Sequence, residues 1–341
     1  MALKRGLLGA AFAASFAVLS GTAMAQEDIK IAYIDPFSGP FAAVGSLAAK
    51  QFFFVADQIN ARGGVLGGRK LVLDQFDNNM SPTDTLVILQ DVIDKGYDYI
   101  FQSTSGAVAA TIAEAVAKHN DRNPDNPVIL MNYGSPDPRL TNESCSYYYF
   151  RFGPTTYQYL AAMVADIANN ADVKKVYLLN HDIGTRPVFV DGFKSMLSKA
   201  RPDVEIVADE AIPLQTTKDF SPYALKIKSS GADTVVTATW GNDLAFLIKA
   251  GNDAGLTTRF YTLYGGSYGT PTAIGANGDG RIFDTSPYHP SLAEELNSPE
   301  LAKVYTDFKA QTGADFYIIT AFYMFEMLAK AMDKAGTTDP T

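Results

Sequence analysis

Ile29-Lys30-Ile31-Ala32-Tyr33-Ile34-Asp35-Pro36-Phe37-Ser38-Gly39-Pro40 is the stretch on which the fold turns. Its first six residues are rich in β-branched and aromatic side chains and read as a strand that Asp35-Pro36 halts. From Phe41 to Arg62 the apolar spacing is helical, and Gly63-Gly64 gives a C-cap signal. Leu71-Val72-Leu73-Asp74-Gln75-Phe76 is the next strand. A strand, a helix and a strand in this order make a βαβ unit, because two parallel strands need a crossover that a helix supplies.

Working outward, the rhythm continues. Ser81 as N-cap and Pro82 at the first helical position open a helix. Tyr99-Ile100-Phe101, a helix from Gly106 to His119, and Val128-Ile129-Leu130-Met131 follow. A second series starts after Tyr147, with strands at Val176–Leu179, Val204–Val207, Thr234–Val236 and Phe260–Leu263. Helices at Val188–Ala200, Phe220–Ser230 and Asn242–Ala254 lie between them. Beyond Gly280, Arg281-Ile282-Phe283 reads as a strand, and Pro299–Thr312 and Phe316–Lys334 as helices. Two such series predict an α/β protein with two doubly wound, Rossmann-like lobes built on parallel sheets.

The N-terminus reads as an export signal. Lys4-Arg5 precedes an uncharged run from Gly6 to Leu19, and Ala23-Met24-Ala25 places small residues before a cleavage point at Gln26. The run falls short of the roughly 20 residues a bilayer span needs. Periplasmic localisation without membrane insertion is the expectation. The chain carries a net charge of −9, and losing residues 1–25 removes two cations and no acid, leaving −11. That balance, with no basic tract, sets nucleic acid aside as a partner. Cys145, the single cysteine, is expected to be a small buried apolar residue.

Motifs for catalysis and cofactors fail on inspection. Gly63 to Lys70 has Gly63 and Gly68 at a phosphate-loop separation, but Arg69-Lys70-Leu71 stands where Lys-Ser/Thr is required. It also runs from helix into strand, the reverse of a phosphate loop. His119, His181 and His289 lack metal-ligand spacing, and no Gly-x-Ser-x-Gly elbow occurs. Glu294-Glu295 reads as a solvated face. No catalytic residue, metal or cofactor is expected.

Binding chemistry gathers instead where strands end, the edge at which open α/β sheets hold ligands. Ser103-Thr104-Ser105 leads from a strand into a helix N-terminus, a place for an anionic group. Tyr133-Gly134-Ser135 and the segment Asn180 to Arg186 follow two further strands, with Asp182, Ile183 and Arg186 as candidates. Trp240 and Tyr264 follow two more. Each has a plainer reading: the hydroxyls as helix caps, Arg186 as a surface ion pair, Trp240 as packing between lobes. Convergence on one edge favours a small-ligand site.

With these residues in view, the sequence resembles the Leu/Ile/Val-binding family, the solute receptors of branched-chain-amino-acid-type ABC transporters with the type I periplasmic binding protein fold. Ser38-Gly39-Pro40, Asp57-x-Ile59-Asn60-x-x-Gly63-Gly64 with Gly67-Gly68, Asp219-Phe220-Ser221, and Gly251-x-x-Ala254-Gly255-Leu256 carry the likeness. The resemblance implies a first lobe of residues 26–146 plus 281–336, a second of 147–280, and a hinge closing over the ligand. It implies that Ser103 to Ser105 donate to a ligand carboxylate and that an aromatic residue, Trp240, covers it. It also implies a monomer whose partners are a small molecule and a membrane permease, and a C-terminal segment that this sequence lacks. Family members that bind amino acids place an acid for the ammonium about where Tyr264 stands, and a tyrosine hydroxyl carries no such charge. An aromatic or other organic acid therefore competes with a branched-chain amino acid, for which Asp182 would hold the ammonium, and with amides or urea. A sensor module of the same fold and a hydrolase using one of Ser103 to Ser105 are the alternatives to a transport receptor.

Overall fold

Strand and helix alternate through a computed structural model that describes residues 27–267, 269–289 and 291–341. The expected export segment, residues 1–25 with cleavage before Gln26, lies outside the described residues. The first sheet is built from β1 (Ile29–Asp35), β2 (Leu71–Asp77), β3 (Tyr99–Phe101), β4 (Ile129–Asn132) and β5 (Tyr149–Arg151) in the order β2-β1-β3-β4-β5. The second comprises β6 (Lys175–His181), β7 (Glu205–Ile212), β8 (Thr234–Thr237), β9 (Arg259–Thr262) and β10 (Ile282–Asp284), in the order β10-β9-β8-β6-β7. Every paired neighbour is parallel. The two sheets thus repeat one topology, with order reversing between β1 and β3 and between β6 and β8.

Helices α1 (Ala42–Ala61), α2 (Pro82–Asp94) and α3 (Gly106–Arg122) cross over in the first lobe. Helices α4 (Thr156–Asn169), α5 (Arg186–Ala200), α6 (Ser221–Ser230) and α7 (Asn242–Asp253) serve the second, with a short α8 (Thr270–Ile274) near its edge. A four-residue α9 (Leu292–Glu295), then α10 (Pro299–Thr312) and α11 (Ile319–Ala335), close the chain's path. Both sheets are covered on both faces, which is why β1 and β6 are apolar almost throughout. One face of the first sheet packs Phe52, Val55 and Ile59 of α1 with Phe308 of α10 and Phe325 of α11. The other takes Leu89 of α2 and Ile112 of α3. In the second lobe α4 and α5 cover one face, and α6 and α7 the other.

Local chemistry sets the element ends. Ser81 Oγ accepts from the Asp84 amide at 3.2 Å and Pro82 occupies the first turn, as the sequence predicts. Thr155 and Gln158 form a capping box at the start of α4. Gly45 of α1 lies against the Pro36 carbonyl so closely that a Cβ there would stand 1.8 Å from its oxygen. This contact seats the helix on the loop after β1.

Three expectations change. Strand β5 pairs with β4, so residues 149–151 belong to the first sheet rather than to the second lobe. Strand β10 pairs with β9, so residues 282–284 belong to the second sheet although the helices beyond them return to the first lobe. The chain therefore crosses between lobes after Arg151 and again after Asp284. Cys145 is exposed, because it sits in a turn between Asn142 and β5, outside both layered cores.

Candidate functional site

The two reversal points face each other across a cleft of about 740 Å³. Ser103, Thr104, Ser105, Tyr133, Gly134 and Ser135 line it from the first lobe. Ile183, Trp240 and Tyr264 line it from the second. Sequence reasoning did not offer Phe41, Val44, Phe189, Leu214 and Leu263 as site residues, and these complete the apolar walls; Thr185, within the segment Asn180 to Arg186, lines the cleft beside Ile183. Phe41 follows Ser38-Gly39-Pro40 at the end of β1, so the strand-end rule held the signal for it.

The first-lobe wall is a fixed hydrogen-bond frame. Asn132 Oδ1 accepts from the amides of Gly134 and Ser135 at 2.9 and 2.8 Å, and from Ser103 Oγ at 2.8 Å. Ser103 Oγ in turn accepts from the Ser135 amide. Ser105 is the N-cap of α3 in a left-handed conformation (φ 78°), uncommon for a residue with a Cβ. It turns the chain so that the first turn of α3 points into the cleft, where the amides of Gly106 and Ala107 have no intrahelical acceptor. Ser135 Oγ is buried without a hydrogen-bond partner among the described residues. Together these donors suit an anion.

Asp35, at the end of β1, stands behind this wall. It is fully buried and accepts from the Thr104 amide at 3.0 Å and from the Tyr133 hydroxyl. Burial pushes its carboxyl up to about 6, against the pull of its Tyr133, Thr104 and Ser103 hydrogen bonds.

In the second lobe, Trp240 is held from behind. Its ring meets the edge of buried His181 at 5.9 Å and 86° between planes, and its carbonyl accepts from Gln215 Nε2 at 2.8 Å. His181 Nε2 lies 2.9 Å from Asp243 Oδ2, which also takes the Gln215 amide at 2.7 Å. Across the cleft, Trp240 meets the Phe41 ring at 5.7 Å. Gly106 of α3 faces Thr185, where an added Cβ would come within 2.8 Å of Thr185 Cγ2. The lobes thus touch at the rim on either side of the cavity.

Arg186 and Asp182 are not brought to the cleft. Arg186 forms an ion pair with Asp209 of β7, the plainer of its two readings. Asp182 is solvent-exposed. Arg139 is the one charged residue among the described residues of the lining, and it is tied to buried Asp137. Tyr264 keeps its proton, pushed up to about 12 by burial and by the nearby charge of Asp284. Asp284 itself turns its carboxylate to Thr262 and Gly265 rather than lining the cavity. No carboxylate lines the cleft among the described residues.

Two doubly wound lobes of one topology, crossed twice by the chain and enclosing a cleft at their reversal points, define the type I periplasmic binding protein fold. The family model for periplasmic binding proteins matches residues 28–341. The chain belongs to that family. It is 30% identical over 315 residues to Leu/Ile/Val-binding protein homolog 4 of Brucella abortus (strain 2308), covering 92% of this chain and 74% of that one. Among solved structures, the closed conformation of the leucine-, isoleucine-, valine-, threonine- and alanine-binding protein from Brucella ovis superposes with a TM-score of 0.78. Identity there is 28%, over 92% of this chain and 80% of that one. A solute-binding protein of an R. palustris ABC transporter in complex with benzoate also scores 0.78, at 18% identity over 91% and 82% of the two chains.

Proposed function

We propose that this protein is the extracytoplasmic receptor of an ABC importer and that it closes on a small carboxylic acid lacking an ammonium group, an aromatic acid being the best fit. In this reading the protein is exported, binds as a monomer and delivers its ligand to a membrane permease. The supporting observation is the make-up of the cleft: a helix N-terminus and a buried, unpartnered Ser135 hydroxyl on one wall, aromatic and aliphatic residues elsewhere, and no lining carboxylate among the described residues. A zwitterionic amino acid would leave its ammonium desolvated and unpaired there, which costs several kcal/mol. The carboxylate would lie at Ser103, Thr104, Ser105, Tyr133, Gly134, Ser135 and the amides of α3. Its apolar body would lie between Trp240, Ile183 and Tyr264. Relatives named for leucine, isoleucine and valine, and a fold that holds benzoate in another receptor, leave the ligand to be decided by this lining.

A thermal-shift panel tests the reading on protein unfolded and refolded to remove bound ligand. Benzoate or a hydroxybenzoate is expected to raise the melting temperature by several degrees. Ligand at about 100 times Kd stabilises by roughly 2.7 kcal/mol. A shift with L-leucine or L-valine and none with aromatic acids would overturn the choice of ligand.

Closure is open to a separate test. Gly106→Ala is expected to weaken ligand binding about tenfold, because its methyl would meet Thr185 as the lobes shut. Ligand-free stability should hardly change. Adding Thr185→Ser, which removes the opposing methyl, should restore affinity in an isothermal titration; failure to restore it would mean that the rim contact does not limit closure.

A further inference from the structure

Among the described residues the buried carboxyl of Asp35 belongs to no ion pair, and the two residues that cradle it, Thr104 through its amide and Tyr133 through its hydroxyl, also line the cleft. Tyr133 donates its hydroxyl proton to Asp35 Oδ2. The Tyr133 oxygen lies 3.2 Å from Thr104 Oγ1 and 3.3 Å from the Tyr33 hydroxyl. A hydroxyl has one proton to give. While Asp35 is ionised, Tyr133 gives its proton to the carboxylate and the Thr104 hydroxyl gives its own to the Tyr133 oxygen, so Thr104 turns oxygen lone pairs to the cavity. Once Asp35 takes a proton from solvent, it donates to the Tyr133 oxygen and the chain reverses. Tyr133 then donates to Thr104 Oγ1, 3.2 Å away, and the Thr104 hydroxyl donates into the cleft.

We infer that Asp35 is a specificity-determining residue whose protonation switches this wall from accepting to donating, so that a ligand carboxylate binds together with one proton. The inference rests on the reading of the cleft as a carboxylate site. A bound anion and an ionised Asp35 would also repel each other across a buried wall, which acts in the same direction. The groups facing Asp35 are Ser103 and Thr104 from the loop after β3, Tyr133 from the loop after β4, and Tyr33, through Tyr133, from its own strand. Asp77, its neighbour on β2, is engaged with the Phe37 and Asn79 amides. No cation competes for Asp35 among these groups. A carboxyl held up at about 6 is ionised in most empty molecules at pH 7, so a proton is there to be taken up.

Titration of benzoate at pH 7 in phosphate and in Tris, buffers of unlike ionisation heat, measures the proton count. Uptake of about half to one proton per benzoate is expected, with affinity falling severalfold from pH 6.5 to 7.5. In Asp35→Asn, binding should persist with no proton uptake and a flat pH profile. Zero uptake in the parent protein, or unchanged uptake in the variant, overturns the inference while leaving the acid-receptor reading intact. If L-leucine binds and benzoate does not, that reading fails. The same two-buffer titration with leucine then decides the inference by itself, since leucine brings its own carboxylate.

A ligand-free measurement stands beside these. Folding raises the Asp35 carboxyl above its ordinary 3.8, so the stability it carries is full below about pH 4 and is lost as pH rises through about 6. The melting temperature of Asp35→Asn, relative to the parent, should therefore climb between pH 4 and pH 7. A difference that does not change with pH overturns the switch.

Discussion

Replacing Trp240 with alanine is expected to raise the Kd of the cleft's ligand roughly 30- to 150-fold, a loss of about 2 to 3 kcal/mol. Two contributions make up that loss. The indole supplies a wall against which the ligand's apolar body is buried, and a stacked aromatic wall contributes about 1.5 kcal/mol. It also meets Phe41 across the cleft at 5.7 Å, a contact between lobes that exists only while they are together. Losing it removes part of what favours closure. The half-buried ring lies at the cavity rather than in either core, so ligand-free stability should fall by no more than about 1 kcal/mol. Trp240→Phe should recover most of the affinity, because His181 and Gln215 still fix the backbone and one face of the site. Isothermal titration of parent and variants decides the matter, and an unchanged Kd in the alanine variant would take the indole out of the site.

Gly45→Ala is expected to destabilise the protein by about 3 kcal/mol or more. The methyl would stand 1.8 Å from the Pro36 oxygen, a backbone atom that no rotamer change can move aside. Relief requires α1 to lift from the loop after β1. That helix carries Phe52 and Val55 into the core and places Phe41 and Val44 over the cleft. Loss of stability and loss of ligand affinity should therefore appear together. A drop of about 6 to 12 °C in melting temperature is the expected size, and a drop under 2 °C would mean that the loop yields without disturbing the helix.

Much of this architecture is legible in the sequence, and the gaps have physical causes. Helix Pro299–Thr312 is read to the residue because a proline opens it and Gly313 ends it in the left-handed conformation. Helix α4 went unread although Thr155-x-x-Gln158 is a capping-box pattern. Strands β5 and β10 are only three residues long, too short for periodicity to assign them to a sheet. Their membership depends on which neighbour offers a free edge, a property of the assembled lobe. At the site, the strand-end rule found nine cleft residues because strand ends are local features. It failed for Arg186 because the competing carboxylate, Asp209, comes from a strand 23 residues away. Asp35 was read only as a strand stop; its burial behind Thr104 and Tyr133 depends on three loops converging.

The placement of α10 and α11 sets an order of folding. Residues 156–284 are contiguous and contain all of the second sheet with the helices that cover it. The first lobe must wait: Phe52 and Phe101 pack on Phe325, and Phe54 on Phe308, contacts that close loops of more than two hundred residues. Such distant pairings form slowly. The second lobe can therefore mature as a unit while one face of the first sheet still lacks the part of its cover that α10 and α11 supply. For a chain emerging N-terminus first, the half made earliest is the half finished last.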